Sequence, residues 1–381
     1  VALEGDDNYL FGIADADGLQ SGSGVVQELY GDAGNDTLVA GGGDYQYLYG
    51  GADADSLQGG NGVFQYLFGD AGNDTLVAGG GNDQFLFGGA DADSLLGAAN
   101  AESLSGGAGD DTLNGGLGED WAIYGAIAPV VVDLANGSSS GGLGEDRLTG
   151  IEAVRGSFYD DTLLGNTGAN TLAGSFGNDS IDGGNGIDWV SYAGAADPVT
   201  VDLGAGSSSG FYGEDTLSGI EAVLGGDGND SLLGNSSNNT LAGGAGDDTL
   251  DGGAGNDWAS YAGTGAVTVD LGAGSSSGDQ GNDRLFSIEA VLGGSGNDLL
   301  SAGNVNFAIL SGASGADTLV AGGGNNQQLW GGADADSLQG GSGVGQELYG
   351  DAGNDTLVAG GGNDQYLEGG ADADSLQGGN G

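Results

Sequence analysis

Leu recurs at positions 10, 19, 29, 38, 48, 57, 67, 76, 86 and 95, so inward-type apolar positions fall alternately nine and ten residues apart. Neither the 3.6-residue period of a helix nor the sustained alternation of a long strand produces that spacing. Each Leu instead occupies a short strand-like run, such as Thr37-Leu38-Val39, and the runs are separated by stretches rich in Gly, Asp and Asn. The pattern predicts short strands joined by tight turns, in a unit of about 19 residues made of two half-coils. Identity is stronger at twice that distance. Gly31–Val39 recurs unchanged at Gly69–Val77 and Gly350–Val358, while Gly50–Gln58 returns at 331–339 and 369–377, and with one change at 88–96.

The centre of the chain follows a longer period. Trp121, Trp189 and Trp258 lie 68 and 69 residues apart, and the Ser triplets at 138, 207 and 275 and the Ile-Glu-Ala-Val runs at 151, 220 and 288 keep the same spacing. Each long repeat also holds an alternating apolar stretch, Val130–Leu134, Val199–Leu203 or Val267–Leu271, which reads as an added strand. The division by repeat type is 1–105, 106–302 and 303–381. No helical periodicity appears.

Composition narrows the function. The 381 residues include 90 Gly and 56 acids against three basic residues, Arg147, Arg155 and Arg284, for a formal net charge of −53. Lys, Cys, His and Met are absent, which removes disulfides, thiolate and imidazole metal ligands, and every Ser-His or Cys-His catalytic pair. Nucleic acid and anionic membranes are poor partners for a chain without a basic face, and no apolar window is long enough for membrane insertion. The acids stand in equivalent turns rather than contrasting environments, so paired-carboxylate catalysis is not expected, and the chain reads as a non-enzyme. Val1-Ala2-Leu3 carries no signal-peptide pattern, and Gly378-Gly379-Asn380-Gly381 stops partway through a repeat, as expected of a piece of a longer array.

Gly106–Asn114 (Gly-Gly-Ala-Gly-Asp-Asp-Thr-Leu-Asn), Gly243–Asp251 and Gly252–Ser260 carry a nonapeptide, G-G-x-G-x-D-x-U-x, that resembles the repeat of RTX (hemolysin-type calcium-binding) proteins. The 38-residue blocks are similar in style to bacterial, notably cyanobacterial, surface-layer and cell-surface members, and the long repeat looks like modules of large secreted ones. The resemblance implies an all-β fold: a right-handed parallel β-roll or β-helix solenoid with calcium-binding turns, interrupted by inserted strands in the middle section. In such a roll, coils stack about 4.8 Å apart, and every position-six carboxylate stands above its equivalent in the next coil.

The position-six residues are Asp17, Asp36, Asp55, Asp74 and Asp93 in the first block and Asp317, Asp336, Asp355 and Asp374 in the last. In the middle they are Asp111, Asp120, Asp146, Asp161, Asp179, Asp188, Asp215, Asp230, Asp248, Asp257, Asp283 and Asp298. Stacked carboxylates repel, and Ca2+, which takes six to eight oxygen ligands in flexible geometry, relieves that repulsion better than Mg2+. One site per Asp gives on the order of 20 calcium ions, and folding is expected to require them. Asn170, Asn239 and Glu102 replace the position-six Asp. Asp15, Asp53, Asp91, Asp334 and Asp372 at position four, and Asp32, Asp70 and Asp351 at position two, are expected to add carboxylates to alternate sites.

The ten-residue half-coil carries Gln instead: Gln27, Gln46, Gln65, Gln84, Gln327, Gln346 and Gln365 each precede a Leu by two residues, predicting a buried amide stack on the edge opposite the calcium. The residues flanking that Leu are aromatic and point outward, among them Tyr47, Tyr49, Tyr66, Phe68, Phe85 and Phe87. This stripe predicts self-association. The three repeated Trp residues are expected to shield the inserted strands. The reading that follows is an extracellular, cell-surface or secreted structural protein, exported by type I secretion, that assembles into a layer, sheath or fibril. The alternatives are the calcium-folding module of a larger toxin, protease or lipase, or a surface adhesin.

Overall fold

The computed structural model describes residues 7–125, 128–263 and 265–379; the two chain ends, Val1–Asp6 and Asn380–Gly381, lie outside them. Among the described residues every regular element is a strand. Among the described residues no helix is long and apolar enough to cross a membrane. Contacts divide the chain into two compact units, Val1–Val190 and Ser191–Gly381.

In the first unit, successive strands alternate between two parallel ladders. Asp7–Phe11, Val26–Ala33, Tyr45–Ala52, Phe64–Ala71, Asp83–Ala90 and Glu102–Ala108 form one, in unbroken parallel register. Gly18–Gln20, Thr37–Val39, Ser56–Gln58, Thr75–Val77, Ser94–Leu96 and Thr112–Asn114 form the other. The alternating nine and ten spacing therefore sorts Leu29, Leu48, Leu67 and Leu86 into one column and Leu38, Leu57, Leu76 and Leu95 into a second, all essentially inaccessible to solvent. A three-residue strand buries only its middle side chain, which is why one Leu per half-coil suffices for a core. The second unit repeats the design, with parallel neighbours Ile309–Ser314, Gln328–Ala333, Glu347–Ala352 and Tyr366–Glu368 on one ladder and Leu299–Ser301, Thr318–Val320, Ser337–Gln339, Thr356–Val358 and Ser375–Gln377 on the other.

The two half-coils differ in more than length. A six-residue turn with a three-residue strand describes the nine-residue half. The ten-residue half carries an eight-residue strand, as in Val26–Ala33, whose buried positions are Gln27, Leu29 and Gly31. The strand runs on through what the nonapeptide pattern treats as turn, because Gly31 is small enough to take the third inward position. The middle section differs from expectation too. Each long repeat inserts a hairpin rather than one strand: Val130–Asp133 pairs antiparallel with Ser138–Gly141, and Val199–Asp202 and Val267–Asp270 pair likewise with Ser207–Gly210 and Ser275–Gly278. The Ser triplets are the return strands. Trp121, Trp189 and Trp258 belong to the ladder opposite these hairpins, so they do not shield them.

The acids at positions two and four also have a backbone role. Asp32, Asp53, Asp70 and Asp91 have φ of 72°, 77°, 73° and 75°, and all four are exposed. They occupy left-handed turn positions where neighbouring coils use Gly51 (φ 111°) and Gly72 (φ 132°). Asp tolerates that conformation because its short polar side chain bonds locally, whereas a β-branched residue does not. Asp53→Val is expected to cost about 1–2 kcal/mol and Asp53→Gly to be near neutral, read as thermal midpoints in calcium.

Candidate metal centre

A residue two places before the inward Leu points the same way as that Leu, so the position-six Asp is carried into the edge of the roll. Nineteen of the 21 are buried; Asp17 and Asp374, on the first and last coils, are half-buried. Through most of each column the carboxylate accepts the main-chain N–H of its equivalent one coil earlier; after an inserted hairpin, Asp161, Asp230 and Asp298 instead accept the N–H groups of Val130, Val199 and Val267, each at 2.8 Å. Asp36 donates to Asp55 Oδ1 at 2.7 Å, Asp55 to Asp74 at 2.8 Å and Asp74 to Asp93 at 2.8 Å. Asp298, Asp317 and Asp336 continue the rule in the second unit, donating to Asp317, Asp336 and Asp355 at 2.7, 2.8 and 2.8 Å. The expected columns are present.

The second carboxylate oxygen distinguishes the sites. In Asp36, Asp55, Asp74, Asp93, Asp111, Asp120, Asp248, Asp257, Asp317, Asp336 and Asp355 it is buried and has no hydrogen-bond partner in the protein. A buried anionic oxygen without a donor is costly unless a cation meets it. The position-one glycine leaves the space for one. A Cβ on Gly50 would come within 2.5 Å of Asp55 Oδ2 and 2.8 Å of the Gly69 carbonyl oxygen, so a carboxylate and a carbonyl converge where only glycine fits. Such hard oxygen donors suit Ca2+, which when bound supplies the positive charge the column lacks. Among the described residues no three acidic side chains gather at one point, so each ion would be held by one or two carboxylates together with main-chain carbonyls. Without a cation, burial is the largest influence on these groups: it pushes Asp55 and Asp111 up to about 6, and Asp93, Asp248 and Asp317 up to about 7, with neighbouring carboxylates adding to the rise.

Elsewhere protein donors take that oxygen. Asp161, Asp230 and Asp298 accept turn N–H groups from Ser157 at 2.5 Å, Gly226 at 2.7 Å and Gly294 at 2.8 Å. Asp146, Asp215 and Asp283 accept the hydroxyls of Ser139, Ser208 and Ser276, the middle residues of the triplets, at 2.6, 2.7 and 2.6 Å. The Tyr192 and Tyr261 hydroxyls reach Asp215 and Asp283 at 2.9 Å as well. In these hairpin coils, hydroxyl donors stand where other coils leave an oxygen bare. Asp179 and Asp188 are buried and accept the N–H groups of Asp161 and Asn170 at 2.8 Å.

The opposite edge begins as an amide column. Gln27, Gln46, Gln65 and Gln84 are fully buried and in register. Their amides bond mainly to the glycine turns rather than to one another. Gln65 Nε2 donates to the carbonyls of Gly60 (2.9 Å) and Gly62 (3.1 Å), and its Oε1 accepts the Gly79 N–H at 3.1 Å. The expected amide-to-amide bonds do occur in the second unit, where Gln346 donates to Gln327 Oε1 at 3.0 Å and Gln365 to Gln346 Oε1 at 3.3 Å. Gln65→Leu is expected to cost about 2–3 kcal/mol, since it strands three main-chain groups, without changing the number of bound ions; calorimetry and elemental analysis check the two halves.

The same edge then turns acidic. The register carries it from Gln84 to Glu102. Glu102 in turn donates its N–H to Asp120 Oδ1 at 2.8 Å, and Asp120 donates to Glu152 Oε2 at 3.1 Å. Burial pushes the Glu102 carboxyl up to about 7. Glu152, Glu221 and Glu289, from the Ile-Glu-Ala-Val runs, were not among the residues expected on this edge. Their signal in the chain is an offset: each precedes an inward Val by two residues, as Asp precedes Leu. Asn170 and Asn239 hold acid positions without charge, each accepting a turn N–H at 2.8 Å and donating to the carbonyl of Glu152 or Glu221.

No curated protein matches the chain. The family described as RTX calcium-binding nonapeptide repeat (4 copies) matches residues 28–47, 46–63, 66–95, 87–122, 155–190, 224–259, 289–306, 311–346, 347–366 and 365–381, together more than half of the sequence. Those segments carry the glycine cradles and the unpartnered carboxylates of both units. The chain therefore belongs to the RTX calcium-binding nonapeptide-repeat family.

Proposed function

We propose that this is an extracellular structural protein that folds on calcium and associates laterally, through the aromatic face of its first unit, into a layer, sheath or fibril. The observation that carries this reading is a stacked ladder. Phe11, Tyr30, Tyr49, Phe68 and Phe87 succeed one another at centroid distances of 4.9, 4.8, 5.0 and 5.0 Å, with ring planes within 6°. Tyr47, Tyr66 and Phe85 form a second row beside it, at 5.2 and 4.8 Å. Each ring covers its neighbours and leaves one edge in solvent, so the face is flat, apolar and already ordered, which lowers the entropic cost of docking. Calcium bound within the roll would lower the like-charge repulsion between copies. Chains with such repeats are typically exported by type I secretion, which fits an outer surface. Light scattering against concentration tests the reading: the calcium-loaded chain should assemble, and Tyr47→Ser/Tyr66→Ser/Phe85→Ser should remain monomeric. A loaded wild-type chain that stays monomeric at high concentration overturns it.

A second reading, as a saccharide-binding adhesin, has one observation in its favour. In the second unit a groove of about 600 Å³ runs between Trp258 and Phe307, with Asn256, Asn326 and Gln328 along it. Aromatic faces with amides beside them suit neutral sugars, and a glycan screen with Trp258→Ala as control decides the matter.

A further inference from the structure

We propose that the first and third long repeats each carry a divalent-cation site whose second carboxylate comes from outside the nonapeptide pattern, pairing Asp120 with Glu152 in the first unit and Asp257 with Glu289 in the second. The inference rests on the calcium reading above and extends it by making glutamates of the Ile-Glu-Ala-Val runs cation ligands.

In the second unit Asp257 is fully buried, and its Oδ2 has no hydrogen-bond partner. Gly252 leaves the space beside it: a Cβ there would collide with Asp257 and with the carbonyl oxygen of Ser287. Ser287 has φ of 48°, a sharp left-handed turn that brings this carbonyl to the cradle. Two residues on, Glu289 Oε2 accepts the Asp257 N–H at 3.1 Å, which places a second carboxylate next to the first. The coil on the other side contributes Asn239, whose N–H donates to Asp257 Oδ1 at 2.7 Å and which brings no charge. Two carboxylates, one carbonyl and water make a donor set for a hard divalent ion.

The first unit repeats these parts except that an acid, Glu102, stands where the second has Asn239, its N–H donating to Asp120 Oδ1 at 2.8 Å. Asp120 is fully buried with an unpartnered Oδ2. A Cβ on Gly115 would lie 2.5 Å from that oxygen and would also collide with the Gly150 carbonyl. Gly150 has φ of 57°, matching Ser287, and Glu152 Oε2 accepts the Asp120 N–H at 3.1 Å. A nonapeptide partner would lie one coil of 18 or 19 residues away. These glutamates lie 32 residues on, because the inserted hairpin intervenes. The insertion thus has two effects: it satisfies one oxygen of Asp146 and Asp283 with hydroxyls and delivers Glu152 and Glu289 to the opposite edge.

The test is bound calcium per full-length chain, by elemental analysis after gel filtration, with circular dichroism confirming the fold. Glu152→Gln and Glu289→Gln should each lose one ion, and the double variant two. Trp258 follows Asp257 directly, so terbium emission excited through that indole should fall in Glu289→Gln and in Trp258→Phe, the latter with an unchanged calcium count. A double variant with the wild-type ion count overturns the inference and leaves the family's calcium chemistry standing, as does unchanged emission in Trp258→Phe. A wild-type chain that binds no calcium overturns both.

Discussion

Stripped of calcium near pH 8, the chain should lose its β-sheet signal in far-UV circular dichroism and recover it when calcium is returned. Carboxylates about 5 Å apart in a column repel by about 3 kcal/mol per neighbouring pair at an effective dielectric near 20, and the core offers only one Leu per half-coil to oppose that. A ligand present at a hundred times its dissociation constant stabilises the folded state by about 2.7 kcal/mol per site, and many sites act together. Acid should partly replace the metal. Burial raises Asp55 and Asp336 to about 6, and Asp93, Asp248 and Asp317 to about 7, from an ordinary value of 3.8. A carboxyl that binds its proton more tightly when folded stabilises the fold at low pH. That contribution is complete below about pH 4 and is lost as pH rises through 6 to 7. The chelated chain should therefore regain β-structure between pH 7 and pH 4, while calcium affinity weakens over the same interval as protons compete for the oxygens. A chelated chain that is fully β-structured near pH 8 would contradict both the column and its cation.

Leu67→Ala should be among the most damaging single core substitutions in the first unit, at about 2–5 kcal/mol. Leu67 is fully buried, and the register sets it between Leu48 and Leu86, so truncation opens a cavity lined by two coils that the ladders keep from collapsing. In a stacked repeat each coil is held by its neighbours, so the loss should also raise the calcium concentration needed for folding. Leu376, the Leu of the last short strand and next to Leu357 in register, is 49% exposed, and its truncation should cost only a few tenths of a kcal/mol. Calcium titrations followed by circular dichroism compare the two; equal effects would mean that the Leu columns are not the core.

Much of this architecture was legible because a solenoid repeats its environments. A residue at position i meets its own equivalent one coil on, so Leu spacing alone identifies the two core columns, and Gln or Asp two residues before each Leu identifies the two edges. Asp53 shows where that logic stops being sufficient. Its carboxylate reads as an added ligand, and the structure adds what the repeat does not show: a backbone conformation that glycine and Asp tolerate. Ser139 and Asp146 are a stronger case. Seven residues separate them, and only the hairpin closed by Val130–Asp133 and Ser138–Gly141 turns the hydroxyl toward the carboxylate.

The repeat pattern by itself determined the parallel ladders, the Leu core and the acid and amide edges, because periodic side-chain direction leaves a stacked coil no other way to bury its Leu. Only the tertiary structure decided which carboxylates keep a bare oxygen. That depends on the donor lying within about 3 Å of each oxygen, and where hairpins interrupt the period the donor comes from a loop whose path the repeat does not encode. Asp74 and Asp283 look alike in the sequence, yet one presents an unpartnered oxygen and the other is held by Ser276 and Tyr261.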